Sequence, residues 1–215
     1  RLLAKGIDEV TAENVINATN ESWTHLVAIG DYVHAVYEAT MKNVSIPEVS
    51  SIVKLQNGDR IISMIESQKS KIIQQAIQFK QQLIQRYGHG DPSKVKFYPE
   101  LSLASKKLDK DLAELLAQRE DPVHSIAGTI DLLVIDENGN AHIFDYKTSR
   151  KRFTPNSWDV TLNSLISAEE WSSAKKRSVQ NQMPAYNALL EQYGIRGADC
   201  QIVPIWLNLK YVDSN

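Results

Sequence analysis

The chain has 215 residues, 42% of them apolar and 23% charged, with 24 Lys and Arg against 26 Asp and Glu. That length suits one domain able to bury a sizeable core without disulfide staples. The net charge of −2 excludes a uniformly basic coat and leaves room for a local basic groove. The lone cysteine, Cys200, excludes an intramolecular disulfide framework, a four-cysteine zinc site and an iron–sulfur cluster held by four thiolates. No window approaches the run of roughly 18 apolar residues that spans a membrane. The opening Arg1-Leu2-Leu3-Ala4-Lys5 lacks the apolar stretch of a secretory signal. These bounds lead us to expect a soluble, intracellular, globular chain. The missing initial Met suggests a processed chain or a piece of a larger one.

In chain order, the first half reads as helical. Leu26, Val27, Ile29, Val33, Val36 and Tyr37 recur at helical spacing, with Ser22 or Thr24 as a candidate N-cap. A longer helix is expected from about Asp59 to Tyr87, closed by Gly88-His89-Gly90-Asp91-Pro92. Its stripe of Ile61, Ile62, Ile65, Ile72, Ile73, Ala76, Ile77, Leu83 and Ile84 is a core face, opposite Gln, Lys and Ser. The period then changes to two. Val95 to Ala104 reads as a strand, followed by a charged helical or loop insert over Ser105 to Glu120. Ile126 to Ile135 and Ala141 to Lys147 flank Asp136-Glu137-Asn138-Gly139-Asn140, a strong hairpin signal because Asn-Gly tolerates positive φ. A polar stretch from Thr148 to Lys176 holds a short helical piece around Ala168 to Ala174. A helix from about Ser178 to Tyr193 and a strand from Gln201 to Leu209 complete the chain. Helices first, then strand–strand–strand–helix–strand, make a mixed α/β fold. No repeat or linker divides it, so a single domain is expected, with a mainly helical part over 1–92 and an α/β core over 93–210.

The hairpin carries the chemistry. With its turn centred on Asn138, Asp131 sits directly opposite Asp145, their Cβ atoms roughly 4.5–5.5 Å apart. Asp145 and Lys147 share a face because strand residues i and i+2 do. Two carboxylates facing each other among apolar neighbours repel unless a cation or proton lies between them. Hard cations such as Mg²⁺ or Mn²⁺ take oxygen ligands of this kind. A nearby lysine can position a water or stabilise charge developing on a phosphate. The alternative is a surface Asp145–Lys147 pair on an edge strand with Asp131 facing solvent, and a slip of one residue in the register would bring it about.

Several short motifs together resemble the PD-(D/E)XK nuclease superfamily, and its RecB-like exonucleases most closely. They are Gly30-Asp31-Tyr32-Val33-His34 with Glu38, Glu100 in Tyr98-Pro99-Glu100-Leu101, Gly128-Thr129-Ile130-Asp131, Asp145-Tyr146-Lys147-Thr148-Ser149, and Gln182-Met183-Pro184-Ala185-Tyr186. All five stand in the family's order and on the expected elements. The resemblance implies a restriction-endonuclease-like core, a central mixed sheet flanked by helices. It implies that Asp131 and Asp145 are acidic metal ligands, His34 a further ligand from its helix, and Lys147 the lysine orienting the attacking water. The backbone carbonyl of Tyr146 would complete the metal shell, and Glu100 would bind metal through water or hold the site in shape. Gln182 and Tyr186, on one helical face by their i, i+4 spacing, would bond the nucleic-acid backbone or brace the lysine. With one cysteine, the chain departs from relatives that clamp an iron–sulfur cluster.

Other residues read both ways. His34 among Val33, Ala35 and Val36 reads, apart from the family, as a core histidine. His124 and His142 are poor candidates, since His142 falls on the opposite strand face from Asp145, and His25 and His89 belong to no motif and read as surface residues. Cys200 is a small buried hydrophobe. Arg150, Lys151 and Arg152 beside Lys147, and Lys175, Lys176 and Arg177 before Gln182, either line a phosphate groove or are solvated runs. Phe153, Trp158 and Trp171 stack on unpaired bases or pack as core or lid. The expectation is a Mg²⁺- or Mn²⁺-dependent deoxyribonuclease, an exonuclease on single strands or duplex ends in repair, recombination or replication. Flanking domains or replication proteins are candidate partners. The rivals are an inactive nucleic-acid-binding or structural domain with the same fold, and an enzyme acting on another phosphate-containing substrate.

Overall fold

Two long helices precede the sheet in the computed structural model, whose described residues are 9–54, 58–105, 127–149, 173–195 and 199–207. The first helix, α1 (Glu9–Lys42), starts well before the expected cap, so Ser22 and Thr24 lie inside it. Residues 9–24 hold no Pro or Gly, and hydroxyl residues cost little within a helix that nothing upstream interrupts. Its second half buries Ile29, Tyr32, Val33, Val36, Tyr37 and Met41. It ends on Asn43 in the left-handed region, φ 55°. The Lys80 ammonium donates to the Thr40 and Met41 carbonyls at 2.7 and 3.1 Å, groups that a helix end leaves without partners. A cation there also meets the negative end of the helix dipole.

A single helical turn, α2 (Val49–Ile52), leads to α3 (Asp59–Gly88), which has nearly the expected bounds. Its buried stripe is Ile61, Ile65, Ile72, Ala76, Phe79, Leu83 and Tyr87. Ile77, expected in that stripe, is exposed instead. Successive residues turn about 100°, which carries position 77 past the face that Ala76, Phe79 and Leu83 define. Phe79 takes the central place.

The sheet follows as β1 (Lys96–Ala104), β2 (Ala127–Ile135), β3 (Ala141–Ser149), α4 (Ser173–Glu191) and β4 (Asp199–Trp206). Spatial order matches chain order, with β1, β2 and β3 antiparallel and β4 parallel to β3. A parallel neighbour requires a crossover, and α4 supplies it. The β2–β3 turn is a three-residue loop closed by Asp136 N–H to the Asn140 carbonyl at 3.0 Å. Only Gly139 there uses positive φ, 83°. The helix α4 begins before the expected Ser178, since Ser173 to Arg177 lack Pro and Gly and continue the helix without a break. Residues 106–126 and 150–172 lie outside the described residues, and with them most of the expected insert after Ser105 and of the short helical piece near Ala168. β4 is described to Trp206, short of the expected Leu209.

The sheet buries both faces. Leu132, Val134, Phe144, Tyr146, Val203 and Ile205 pack against α1 and α3. Ile130, Leu133, Ile143 and Ile202 pack against Val179, Met183, Tyr186 and Leu190 of α4. The result is a mixed four-stranded sheet between helices with a helical N-terminal half. No described helix is long and apolar enough to cross a membrane.

Candidate active site

The site forms where β1 and β2 exchange faces. Val95, just before β1, and Phe97 on it belong to the α1/α3 core, whereas Leu101 and Leu103 belong to the α4 core. All four are odd-numbered, and regular alternation would keep them on one side. β2 does the same between Leu132 and Ile130. At the crossing Glu100 adopts φ 50°, a left-handed conformation uncommon for glutamate. The pairing passes from Pro99↔Leu132 to Leu101↔Ile130, leaving Glu100 and Asp131 out of the ladder. Their side chains are thereby free to converge.

The β2–β3 register runs from Ile135↔Ala141 to Leu132↔Phe144. One further step sets Asp131 opposite Asp145, as the turn position requires. The ladder stops there, and an Asp131 oxygen accepts the Tyr146 N–H at 2.6 Å. His34 arrives from α1. Its Nδ1 lies 3.6 Å from Glu100 Oε1 and 3.7 Å from Asp131 Oδ1. The ligand atoms of His34, Glu100 and Asp131 all fall within 4.8 Å of one another. Asp145 is fully buried and its carboxylate is ion-paired with the Lys147 ammonium on the same strand face.

The charges are poorly balanced. Burial and the neighbouring Asp145 push the Asp131 carboxyl up to about 7, against the pull of His34, the Tyr146 N–H and Lys147. Burial works against a charge on His34, but Glu100 and Asp131 outweigh it and its pKa is raised. Glu100 Oε1 is buried without a hydrogen-bond partner. An imidazole, two carboxylates and an unsatisfied oxygen fit a divalent cation, which would relieve the repulsion raising Asp131. His34, Glu100 and Asp131 could hold it, with Asp145 close enough to act on Asp131 electrostatically.

The α4 residues reach the same place. Gln182 Nε2 donates to the Tyr186 hydroxyl at 2.5 Å, and that hydroxyl donates to the Thr129 carbonyl at 2.5 Å. Burial raises the Tyr186 pKa to about 12, so it is a stable donor at neutral pH. The part Gly128 plays is steric. A Cβ there would come 3.0 Å from the Tyr186 ring, so its smallness lets α4 lie on β2. A glycine within a strand signals such close approach.

The remaining candidates sit elsewhere or lie outside the described residues. Glu38 is ion-paired with Lys42 on α1. His142 bonds Asp199 at the other end of the hairpin and stacks on Tyr87. His89 is exposed beside Glu137. Cys200 is half-buried, with burial pushing its thiol up to about 11. Lys175, Lys176 and Arg177 fall in the first turns of α4, where Arg177 is exposed. Arg150, Lys151, Arg152, Phe153, Trp158, Trp171 and His124 lie outside the described residues.

A mixed sheet between helices thus carries acids and a lysine on its central hairpin and a histidine from the helical half, a donor set that could take a divalent cation. Residues 12–209 match the PD-(D/E)XK nuclease superfamily, and the chain belongs to it. No curated protein and no solved structure gave a significant match. The superfamily uses divalent metals and acts on nucleic acid, in keeping with this donor set.

Proposed function

We propose that this chain is a Mg²⁺- or Mn²⁺-dependent deoxyribonuclease of the RecB-like branch, acting as an exonuclease in DNA repair, recombination or replication. The observation that carries this reading is the junction of two groups, the His34–Glu100–Asp131 cluster and the adjoining Asp145–Lys147 pair. Binding alone would not need a lysine held by a buried carboxylate beside three potential ligands.

The bound cation would supply Lewis-acid polarisation of the phosphate and a water of lowered pKa. Asp131 and His34, with Glu100, hold the ligand atoms in place. The Tyr146 carbonyl would add an oxygen ligand to the cation. Asp145 holds the Lys147 ammonium beside the carboxylates, from where it steadies the nucleophile and offsets charge growing on the phosphate. Gln182 and Tyr186 present polar groups beside Thr129, suited to the nucleic-acid backbone or to bracing Lys147. Lys175, Lys176 and Arg177 at the start of α4, with Arg150, Lys151 and Arg152 after β3, would contact further phosphates. The whole chain then serves as one nuclease domain, either alone or beside flanking domains.

The test is hydrolysis of linear single-stranded, linear duplex and closed circular DNA with Mg²⁺, Mn²⁺ or chelator. Cleavage of linear DNA alone, abolished by chelator and by Lys147→Ala, is the expected result. Nicking of the circle would establish endonuclease action instead. Metal-independent cleavage, or an unimpaired Lys147→Ala variant, would remove the reading.

A further inference from the structure

We propose that the Tyr146 side chain is a positioning residue of the metal site, its ring setting the His34 imidazole while its backbone N–H sets Asp131. The inference rests on the nuclease reading above and assigns a task to a side chain whose backbone alone that reading uses.

His34 belongs to α1 and Asp131 to β2, so no local geometry relates them. Tyr146, on β3, touches both. Its N–H meets Asp131 Oδ2 at 2.6 Å. Its ring lies 5.6 Å from the imidazole, centroid to centroid, at an interplanar angle of 84°. The two carboxylates approach the imidazole at one atom, Nδ1, so they leave its plane free to rock about that point. A perpendicular ring against its flank removes that freedom.

The ring can do this because it cannot itself move. Tyr146 is 1% exposed. Tyr37 packs on it at 4.7 Å and Phe79 at 5.9 Å, from α1 and α3 respectively. Packing thus locks one side chain that in turn orients a ligand, the kind of support that keeps a metal site within its working geometry. The hydroxyl takes no part. It is buried with no hydrogen-bond partner among the described residues, so phenylalanine would lose no bond there. The ring is therefore the working part, and phenylalanine should serve as well.

Mn²⁺ binding, measured by calorimetry on the metal-free protein without nucleic acid, tests this. Wild type should bind. Tyr146→Leu should bind about 10–100-fold more weakly, the usual loss when a residue orienting a metal ligand is removed. Tyr146→Phe should restore wild-type affinity. Leu83→Ala damages the same core on α3 and should keep the affinity, which a general loss of packing would not. Should Tyr146→Leu fail to fold, Tyr146→Met fills the space without a ring and is expected to show the same weakening. Wild-type affinity in the ring-less variant, or an equal loss in Leu83→Ala, would overturn the proposal. Absence of Mn²⁺ binding in the wild type would overturn the nuclease reading itself, and this one with it.

Discussion

The two ends of the β2–β3 hairpin place an aspartate in opposite circumstances. At the turn, Asp136 accepts hydrogen bonds from Asn138 N–H, Asn140 N–H and the Asn140 amide, all within 2.9 Å, and faces His142. Burial works against its charge, yet these donors outweigh it and its pKa is lowered. At the other end, Asp131 has one backbone donor and a carboxylate neighbour, and its pKa rises to about 7. The same residue type on one hairpin is satisfied where it closes the fold and left wanting where the ligands gather. Unbalanced charge of this kind is common at functional sites, and here it coincides with the candidate ligand cluster.

The largest effect should come from Lys147→Ala at the unbalanced end. Divalent-dependent DNA cleavage should fall about a hundredfold to a thousandfold, with the circular dichroism of the folded protein retained. Asp131→Asn separates function from stability. It should abolish Mn²⁺ binding in calorimetry yet raise the melting temperature of the metal-free protein at pH 8, because a buried charge opposed by the neighbouring Asp145 is gone while an oxygen remains for the Tyr146 N–H. A lower melting temperature would mean that Asp131 is not held under electrostatic stress.

At the turn the sign reverses. Asp136→Ala should cost about 1–2 kcal/mol in thermal or denaturant unfolding, with cleavage per folded molecule unchanged. The two ends also differ in pH dependence. Folded Asp131 holds its proton up to about 7, against 3.8 when unfolded, so the folded state binds more protons between those values. Metal-free stability should therefore decline as pH rises across that window, and Asp131→Asn should flatten the decline. Folded Asp136 titrates below 3.8, so its contribution is complete above that value and is lost as pH falls through the folded pKa. Melting curves from pH 3 to 8 for both variants check the pair. The smallest effect is expected from Gly128→Ala, whose Cβ would press the Tyr186 ring. Overpacking of about 1 kcal/mol and a severalfold loss of turnover should follow, and unchanged kinetics would free the Tyr186 contact from any part in the reaction.

Much of this was legible in the residues themselves. The 3.6-residue spacing of Ile61, Ile65, Ile72 and Ala76 specified α3, and Asn138-Gly139 set the hairpin turn and hence the register opposing Asp131 to Asp145. Those signals are local, since each depends on a few neighbouring residues and the backbone geometry they prefer. Sequence also supplied the motif order from His34 to Tyr186 that the family match covers. It misjudged the start of α1, because Ser22 and Thr24 look like caps until the upstream helix is seen to continue.

Tertiary structure alone decided how the candidate ligands meet. Nothing in Tyr98-Pro99-Glu100-Leu101 announces a left-handed glutamate, a conformation that the side chain disfavours and the surrounding strands impose. That one turn makes β1 and β2 change faces and brings Glu100 to His34, while Asp145 pairs with Lys147. Nor could local pattern tell that Tyr146 would stand between an imidazole from α1 and a carboxylate from β2. Such contacts join residues distant in the chain, and only the packing of helices on the sheet sets their distances.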